Sequence, residues 1–463
     1  MNAAIFREYD IRGRVGADLD DSVARRIGLA AGSLLVERGA AAPIAIGRDV
    51  RPSSAGFAAA VARGVREAGL DTVDLGVVST PLLYWGVIRL GAGAGFMVTG
   101  SHNPPSDNGI KICGAGARPL SAEEIQDVRR RAESGARPAS RQASAGRADL
   151  RADYLADLAS RFPRRSRRLR VGVDAGNGVA GPLVLDLLSR ANVDVTPLYC
   201  EPDGTFPNHL PDPEQPENTR DLQRAVVDSR LDAGLAFDGD ADRVGVVDET
   251  GRKISADWLL ALFARRLLAA HPGGGVRFDV KCTDFLERDV RASGGRPVMG
   301  RTGHSILKAD MAADPSLVLG GELSGHIVFG RGYHKIDDAF YSALVTLDIV
   351  AEDGRPLSAR FADFPDTVST PEIKVPCAEE RKKDVVAAVD RALSAGHEVI
   401  RIDGVRVRFA DGWGLVRASN TTPVLTLRFE ASDARALARN RAEVDAALEA
   451  AGCAVTEVAS RAT

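Results

Sequence analysis

Residues 231–242, LDAGLAFDGDAD, lead from a short apolar stretch directly into three aspartates at alternate positions. The apolar stretch has the composition of a buried strand, and the glycine between the aspartates marks a tight loop. Carboxylates crowded into such a loop repel one another, and the loop is therefore costly without a cation. The segment predicts a strand that ends in a cation site, with Mg²⁺ as the simplest ion for oxygen ligands alone.

The same loop also fits part of a calcium-binding EF-hand. Asp238, Asp240, Asp242 and Glu249 match the first, third, fifth and twelfth positions of that motif. Its sixth position requires glycine, where this chain has Arg243, and the flanking segments read as strands where helices are required. The EF-hand is therefore rejected, and a solvated acidic turn remains the alternative to a metal site.

Strand-like runs alternate with segments of helical period through the first two-thirds of the chain, which indicates an α/β fold. Beyond that part the strands follow one another more closely, as in a smaller α+β domain. Polar, aperiodic stretches at 134–146 and 363–366 suggest connections, and a weaker one lies near residue 252. We therefore predict four domains, which span residues 1–146, 147–252, 253–365 and 366–463.

The charge balance argues against a general attraction to nucleic acids or anionic membranes, because 60 basic residues face 63 acidic ones. The densest basic run, at 161–170, has no interleaved aromatic residue beyond Phe162 and is interpreted as a solvated linker. Five widely spaced cysteines are typical of reduced thiols, and the N-terminus lacks an apolar signal segment. We expect a cytoplasmic, monomeric enzyme of small molecules, without nucleic acid or membrane partners.

Three further loops place polar groups after apolar runs. Residues 99–104, TGSHNP, would present the hydroxyl of Ser101 at a strand-to-loop turn, where it suits phosphoryl transfer beside Mg²⁺. Residues 321–326, GELSGH, offer groups that recognise sugar hydroxyls. Residues 417–423, RASNTTP, offer a guanidinium and hydroxyls to an anion. Each loop alone has a structural turn as its alternative, which for GELSGH is the better interpretation, but loops beyond strand ends often share one cleft.

Together, the loops TGSHNPPSDNGIK, DGDADR, GELSGH and RASNTTP resemble the signature loops of the α-D-phosphohexomutase family. The segments FREYDIRG, VKCTD and RTGHS are similar to its bacterial phosphomannomutase/phosphoglucomutase branch, and the resemblance covers essentially the whole chain. It implies three related α/β domains with mixed sheets and a C-terminal α+β domain around a central cleft. It also implies interconversion of hexose 1-phosphate and hexose 6-phosphate, for mannose and glucose, through a phosphoserine enzyme.

The resemblance also assigns roles to individual residues. Ser101 would carry the phosphoryl group, and Mg²⁺ would be bound by Asp238, Asp240 and Asp242 with an oxygen of residue 101. Glucose or mannose 1,6-bisphosphate would be the activator and the intermediate. Further catalytic positions would be Lys111, Arg243 and His304, and the substrate would be bound by Tyr9, Arg12, Lys281, Glu322, Ser324, His326, Arg417, Ser419, Asn420 and Thr421.

Several alternatives stay open. Lys111 and His304 are both candidates for general acid or base, and Lys111 is favoured for its place in the serine loop. Phosphoglucosamine mutase is the alternative within the family, although its phosphate loop typically carries SGTEP where this chain has SNTTP at 419–423. A non-catalytic module that binds metal or sugar phosphate is the alternative outside enzymes.

Overall fold

The computed structural model describes residues 1–40, 43–162, 167–419 and 423–453. Within these ranges the chain forms four successive β-sheets, and α-helices connect most of their strands. The first three sheets are mixed and the fourth is antiparallel, which confirms the predicted α/β class with an α+β domain at the C-terminal end. Short 3-10 helices lie at Ala3–Ile5, Ala115–Ala117, Pro216–Thr219 and Ser358–Phe361.

The first sheet has six strands and four helices. Its strands are β1 (Ile11–Arg14), β2 (Ile44–Arg48), β3 (Thr72–Val77), β4 (Ala94–Val98), β5 (Asp107–Gly114) and β6 (Ala145–Arg147), in spatial order β1-β5-β4-β2-β3-β6. Its helices are α1 (Asp21–Glu37), α2 (Ser54–Glu67), α3 (Thr80–Leu90) and α4 (Ala122–Ser134). The predicted capping box of α4 is present, with Ser121 and Glu124 bonded reciprocally. Strand β4 is antiparallel to β5, so the serine loop is the turn between them.

The second sheet has five strands and three helices. They are α5 (Arg151–Ser160), β7 (Leu169–Asp174), α6 (Ala180–Arg190), β8 (Val193–Leu198), α7 (Arg220–Asp228), β9 (Ala233–Phe237), β10 (Val244–Asp248) and β11 (Lys253–Ile254). Strand β9 runs parallel to β7 and antiparallel to β10, with Phe237 opposite Val244. The aspartate loop is therefore a tight turn between two strands, which confirms that it is not an EF-hand.

The third sheet has four strands and four helices. They are α8 (Ala256–Ala270), β12 (Gly275–Asp279), α9 (Asp284–Ala292), β13 (Arg296–Gly300), α10 (His304–Ala313), β14 (Leu317–Gly321), β15 (Ile327–Phe329) and α11 (Ala339–Ala351). The sheet order is β13-β12-β14-β15, and only the last pair is antiparallel. Gly321 faces Ile327 in that pair, so the GELSGH loop is again a turn beyond a buried strand.

The fourth sheet is antiparallel and is covered by two helices. Its elements are β16 (Val368–Ser369), β17 (Ile373–Pro376), α12 (Lys382–Leu393), β18 (Glu398–Ile400), β19 (Val405–Phe409), β20 (Gly412–Ala418), β21 (Val424–Ala431) and α13 (Ala434–Ala450). The order is β16-β21-β20-β19-β18, with β17 also paired to β21. The RASNTTP loop begins at the end of β20 and leads into β21.

The apolar core joins the first three sheets and leaves the fourth with a core of its own. One cluster of buried side chains extends from the first sheet to the third. Within it, Tyr154 of α5 and Phe340 of α11 pack edge to face. The fourth sheet has a separate cluster beneath α12 and α13. Buried Arg406 connects it to the third by donating to the carbonyls of Val280 and Cys282. A small apolar cluster of Val280 and Met299 with Trp413 and Leu415 lies at the same contact, so the fourth domain is attached to the third through both polar and apolar groups.

The predicted domain boundaries stay a prediction, and two of them fall beside short strands. Strand β6 spans the predicted boundary after residue 146, and β11 pairs with β10 although residue 252 was set as the end of the second domain. Short terminal strands carry too little periodicity to locate such a limit from sequence.

The five cysteines are buried free thiols, as expected. Among the described residues, no helix is both long and apolar enough to cross a bilayer.

Candidate active site

The serine loop is held in place by a buried arginine, Arg51, which follows strand β2 of the first domain. Ser101 has a left-handed backbone, with φ of 49°, and its N–H donates to Thr99 Oγ1 at 2.8 Å. The Arg51 guanidinium donates to the carbonyl oxygens of Ser101 at 2.8 Å and of Asn103 and Pro104 at 2.5 Å. These bonds offset the cost of a strained backbone at a non-glycine residue. The loop therefore presents the Ser101 side chain in one fixed direction.

The Ser101 side chain points to the aspartate loop of the second domain. Its Oγ donates to Asp238 Oδ2 at 2.8 Å, so the hydrogen bond joins loops that follow strands of two different sheets. The loops approach so closely that a Cβ at Gly239 would lie 2.3 Å from the Ser101 carbonyl oxygen. Glycine is therefore required at position 239, and the hydroxyl and the first aspartate are in direct contact.

The three aspartates form a buried triad with carboxylate oxygens within 4.8 Å of one another. Lys111 Nζ, from β5, donates to Asp240 Oδ2 at 2.7 Å and to Asp242 Oδ2 at 2.6 Å. No described residue donates a hydrogen bond to Asp240 Oδ1 or Asp242 Oδ1, although both atoms are buried. Buried carboxylate oxygens without donors are unfavourable, and a hard cation would satisfy them. The all-oxygen triad can bind a metal ion.

The electrostatics of the triad lead to the same conclusion. Burial, and then the charges of Asp242 and Asp240, raise the pKa of Asp238 well above its ordinary value. Burial opposes the ammonium form of Lys111, but the attraction of Asp240 and Asp242 is stronger and raises its pKa. Lys111 therefore remains an ammonium ion at neutral pH. The raised pKa of Asp238 shows that the nearby Lys111 and Arg243 do not fully offset burial and the repulsion among the three acids, which a bound cation would do.

A group of charged and imidazole side chains lies next to the triad. Arg243 Nε donates to His326 Nε2 at 2.9 Å, and His326 Nδ1 lies 3.7 Å from Asp242 Oδ1. His304 stacks on His326 with ring centres 4.9 Å apart. Burial, and then the positive charge of Lys308, lower the pKa of His304 to about 4. His304 is therefore neutral at pH 7.

The GELSGH loop places Glu322 and Ser324 beside these histidines. Glu322 Oε1 accepts from the N–H of Gly303 at 2.5 Å, and Ser324 Oγ lies 3.4 Å from Glu322 Oε2. Tyr9 lies over the same region, with its ring centre 5.4 Å from that of His304. Burial, and then the charges of Asp10 and Glu322, raise the pKa of Tyr9 to about 12, so its hydroxyl remains a donor.

The basic groups expected to bind phosphate are paired with carboxylates of the protein. Lys281 Nζ donates to Glu372 Oε1 at 2.5 Å, and Arg417 Nε donates to Asp403 Oδ2 at 3.1 Å. The pKa of Glu372 is lowered to about 2, because Lys281 outweighs the effect of burial. These four residues form a region that we call the phosphate end.

The remaining predicted residues are only partly covered by the structure. Arg12 Nε donates to Asp10 Oδ2 at 2.5 Å, and its Nη1 lies 3.3 Å from Asn103 Oδ1 in the serine loop. Ser419 is buried at the end of the phosphate loop, and its carbonyl accepts from Lys382 Nζ at 2.5 Å. Asn420 and Thr421 lie outside the described residues.

Sequence reasoning missed Arg51, Asp337, Glu372 and Asp403. Arg51 and Ser101 are 50 positions apart, and Lys281 and Glu372 are 91 apart. Local patterns carry no information about such pairings. The acidic pair at 337–338 and the arginine in the segment GRDVRPSS were the available signals, and neither has a spacing that indicates chemistry.

The comparisons with known proteins cover nearly the whole chain. Models of phosphoglucomutase/phosphomannomutase alpha/beta/alpha domains I, II and III match residues 3–138, 152–251 and 255–368, and that of the C-terminal domain matches 372–447. The chain is 44% identical to the phosphomannomutase/phosphoglucomutase of Pseudomonas aeruginosa, covering 95% of this chain and 94% of that protein. It is 40% identical to the phosphoglucomutase of Neisseria gonorrhoeae, covering 96% of each.

Among solved structures, the chain resembles a phosphoglucomutase/phosphomannomutase family protein from Burkholderia thailandensis. The TM-score is 0.91 at 38% sequence identity, and the alignment covers 98% of each chain. The similarity therefore includes all four domains and their arrangement around the site.

Proposed function

The chain belongs to the phosphoglucomutase/phosphomannomutase family, and from that premise we propose that it interconverts the 1-phosphates and 6-phosphates of glucose and mannose. The observation that carries the proposal is the contact of Ser101 Oγ with Asp238 Oδ2 at 2.8 Å, inside a buried acidic triad. A hydroxyl in that position lies beside the carboxylates that would hold the divalent cation on which phosphoryl transfer depends.

The reaction we propose has two transfers through Ser101. O6 of a hexose 1-phosphate attacks the phosphorus on Ser101, so that the O6–P bond forms and the Oγ–P bond breaks. The O6 hydroxyl gives up its proton, and the serine oxygen gains one. After the 1,6-bisphosphate has turned over, Ser101 takes the phosphoryl group from O1, and the proton movements are reversed. The product is hexose 6-phosphate, and the phosphoserine is restored.

Asp238, Asp240 and Asp242, with an oxygen of residue 101, would hold Mg²⁺. The bound ion would neutralise charge on the phosphoryl group as it is transferred. Lys111 contributes a fixed positive charge to the same place, since its pKa is raised and two of the aspartates hold it. Arg243 adds a second cation near the reacting oxygens.

The charge states distinguish the two candidates for proton transfer. Lys111 is an ammonium ion and cannot accept a proton, so we assign it charge compensation or the role of an acid. His304 has a pKa of about 4 and is a neutral imidazole at pH 7, which can accept the proton of the sugar hydroxyl. Of the two candidates, His304 is therefore the one able to act as a base, in place of the preference for Lys111 that its place in the serine loop suggested.

Glu322 and Ser324 would bind sugar hydroxyls, and Lys281, Arg417, Ser419, Asn420 and Thr421 would bind the phosphate that does not react. Tyr9, Arg12 and His326 would line the same space.

If the sugar loop contacts O3 and O4, it does not distinguish glucose from mannose, which differ at C2. We expect Glu322→Gln to lower kcat/KM for both sugars by a similar factor, about 10-fold to 100-fold for a lost charged hydrogen bond. Loss of activity on only one of the two sugar phosphates would contradict dual specificity.

A coupled assay with Mg²⁺ and a trace of glucose 1,6-bisphosphate tests the proposed function. The wild-type chain should convert glucose 1-phosphate and mannose 1-phosphate, and Ser101→Ala should convert neither. Ser106→Ala is the matched control, because that serine is exposed in the same loop. Turnover confined to glucosamine 6-phosphate would favour a phosphoglucosamine mutase. Absence of turnover on every substrate would favour a binding module.

We also propose that the enzyme is a cytoplasmic monomer with sugar phosphates as its small-molecule partners. The five free thiols support a reducing compartment. Light scattering on the purified chain tests the monomer, and a mass of two chains would contradict it.

A further inference from the structure

One face of the fourth sheet carries two buried arginines that the reaction steps above do not use. Arg406 of β19 and Arg428 of β21 have their Cζ atoms 3.7 Å and 5.7 Å from the ring centre of Trp413 in β20. All three side chains are buried. Both arginines pair with Leu415, two residues along β20 from Trp413, so the four side chains share one face of the sheet. Trp413 and Leu415 pack there against the third domain.

The two arginines bind the backbone of the segment that follows β12 in the third domain. Arg406 Nη1 donates to the carbonyl oxygens of Val280 and Cys282, the latter at 2.9 Å. Arg428 Nη1 donates to the carbonyl oxygen of Lys281, which lies between them in the chain. Three successive carbonyls of the third domain are therefore satisfied by charged donors of the fourth, and such bonds are stronger than those between neutral groups.

Further contacts fix this segment relative to the fourth sheet. Arg406 Nη2 also donates to Asp284 Oδ1 at 2.5 Å, at the start of α9. Thr283 Oγ1 donates to Glu430 Oε1 of β21 at 2.7 Å. A buried carbonyl that loses its donor is costly, so the backbone of residues 280–283 has a strong preference for this position. The fourth domain therefore fixes a segment whose residues belong to the third.

Lys281 is the residue of that segment expected to bind the substrate phosphate. Its Nζ donates to Glu372 Oε1 at 2.5 Å and lies 3.9 Å from Asp279 Oδ2, at the end of β12. A long side chain reaches its ligand precisely only if its own backbone is held. Because Arg428 binds the carbonyl of Lys281 itself, the place from which the ammonium extends depends on the fourth domain.

We propose that Arg428 and Arg406 are positioning residues, which bind the backbone of residues 280–282 and thereby place Lys281 for the substrate phosphate. The lysine side of the phosphate end is then complete only when the fourth domain is packed on the third. The inference rests on the proposed function in that Lys281 binds the phosphate that does not react. Phosphate binding can be measured without turnover, so failure of the phosphoryl transfer and failure of the positioning role can be recognised separately.

The test is a double-mutant cycle on the binding of glucose 1-phosphate, measured by calorimetry with Mg²⁺. It uses the full chain with Ser101→Ala, which lacks the hydroxyl required for turnover. Lys281→Met should raise Kd, because a phosphate contact is lost. Arg428→Met should raise Kd by about 10-fold when Lys281 is present, but by less than about twofold when Lys281→Met is present, since coupled residues share one effect.

Two further variants separate positioning from general packing. Arg428→Lys keeps a donor for the carbonyl of Lys281 and should restore most of the affinity lost in Arg428→Met. Arg408→Met is the matched control, because Arg408 also reaches the third domain from β19 but donates to a side chain, Glu287 Oε2, at 2.7 Å. It should leave Kd within about twofold of the parent chain.

The inference is overturned if Lys281→Met raises Kd and Arg428→Met does not. It is also overturned if Arg428→Met weakens binding equally with and without Lys281, as a general loosening of the fourth domain would. An unchanged Kd in Lys281→Met would overturn it together with the phosphate role of that lysine. Should Arg428→Met fail to fold, Arg428→Gln takes its place in the same cycle.

Discussion

The active site has a serine end, formed by Ser101, Lys111 and the three aspartates, and this end differs from the phosphate end in the partners of its charged side chains. At the serine end, Lys111 is bonded to Asp240 and Asp242, and Ser101 is bonded to Asp238. These groups act together on the transferring phosphoryl group. At the phosphate end, Lys281 and Arg417 are bonded to carboxylates that a substrate phosphate would have to replace. The serine end is thus arranged before substrate arrives, whereas the phosphate end must exchange partners.

The domain packing follows the same division. The serine end is built from the first two sheets, which share one apolar core with the third. The phosphate end lies where the fourth domain meets the third, at a contact that combines buried Arg406 with a small apolar cluster separate from that core. Interactions made only with the transferring phosphoryl group act mainly on kcat, and interactions made equally with the bound substrate and the transition state act mainly on KM. The two ends should therefore be separable by kinetics.

The largest effect is expected from Lys111→Met. It leaves Asp240 and Asp242 without their shared cation, so kcat should fall by about 10²–10⁴-fold with little change in KM. Steady-state rates with glucose 1-phosphate at saturating Mg²⁺ measure both constants. Lys374→Met, at an exposed position of β17, is the control and should match wild type. A rise in KM with kcat intact would remove the distinction between the two ends.

A smaller effect is expected from Arg417→Lys at the phosphate end. Lysine keeps the charge but loses the planar set of donors that binds phosphate in two places. KM should rise by about 10-fold to 100-fold, as for a charged hydrogen bond worth about 1.5–3 kcal/mol, and kcat should be nearly unchanged. Initial rates over a wide substrate range give the two values. If kcat falls and KM does not, Arg417 acts in the chemical step and the comparison is wrong.

The smallest effect is expected from Glu372→Gln. Lys281 would no longer be paired before substrate arrives, so KM should fall by about twofold to fivefold, corresponding to an ion pair worth up to about 1 kcal/mol. Glu372→Asp, which keeps the charge, is the matched control and should stay closer to wild type. A higher KM in Glu372→Gln would mean that Glu372 orients Lys281 for the substrate and does not compete with it.

The serine end was largely predictable from the sequence. The alternate aspartates, the serine turn and the capping box of α4 are local patterns, and the structure brings the first two into contact. Each motif follows a buried strand, and the two meet because the first and second domains pack with these strand ends facing each other, although β4 and β9 belong to different sheets. The order of these motifs also carried the family resemblance.

The partners at the phosphate end were not predictable in the same way. Glu372 and Asp403 lie in segments with no motif, and their pairing with Lys281 and Arg417 depends on how the fourth domain docks. The same holds for Asp337, whose meaning comes from two histidines that the fold places beside it. Charge states were also hidden, since both groups are buried and only their partners in the fold distinguish them: Asp240 and Asp242 raise the pKa of Lys111, whereas burial and Lys308 lower that of His304.

The most direct test of the central claim is the location of phosphate on the chain. Wild type and Ser101→Ala are incubated with ³²P-labelled glucose 1,6-bisphosphate and Mg²⁺, and intact mass and peptide mapping locate the label. We predict one phosphate per wild-type chain, on Ser101, which leaves the protein when glucose 6-phosphate or mannose 6-phosphate is added, and none on the variant. Label at another residue, or full turnover by a chain that never carries phosphate on Ser101, would contradict the account.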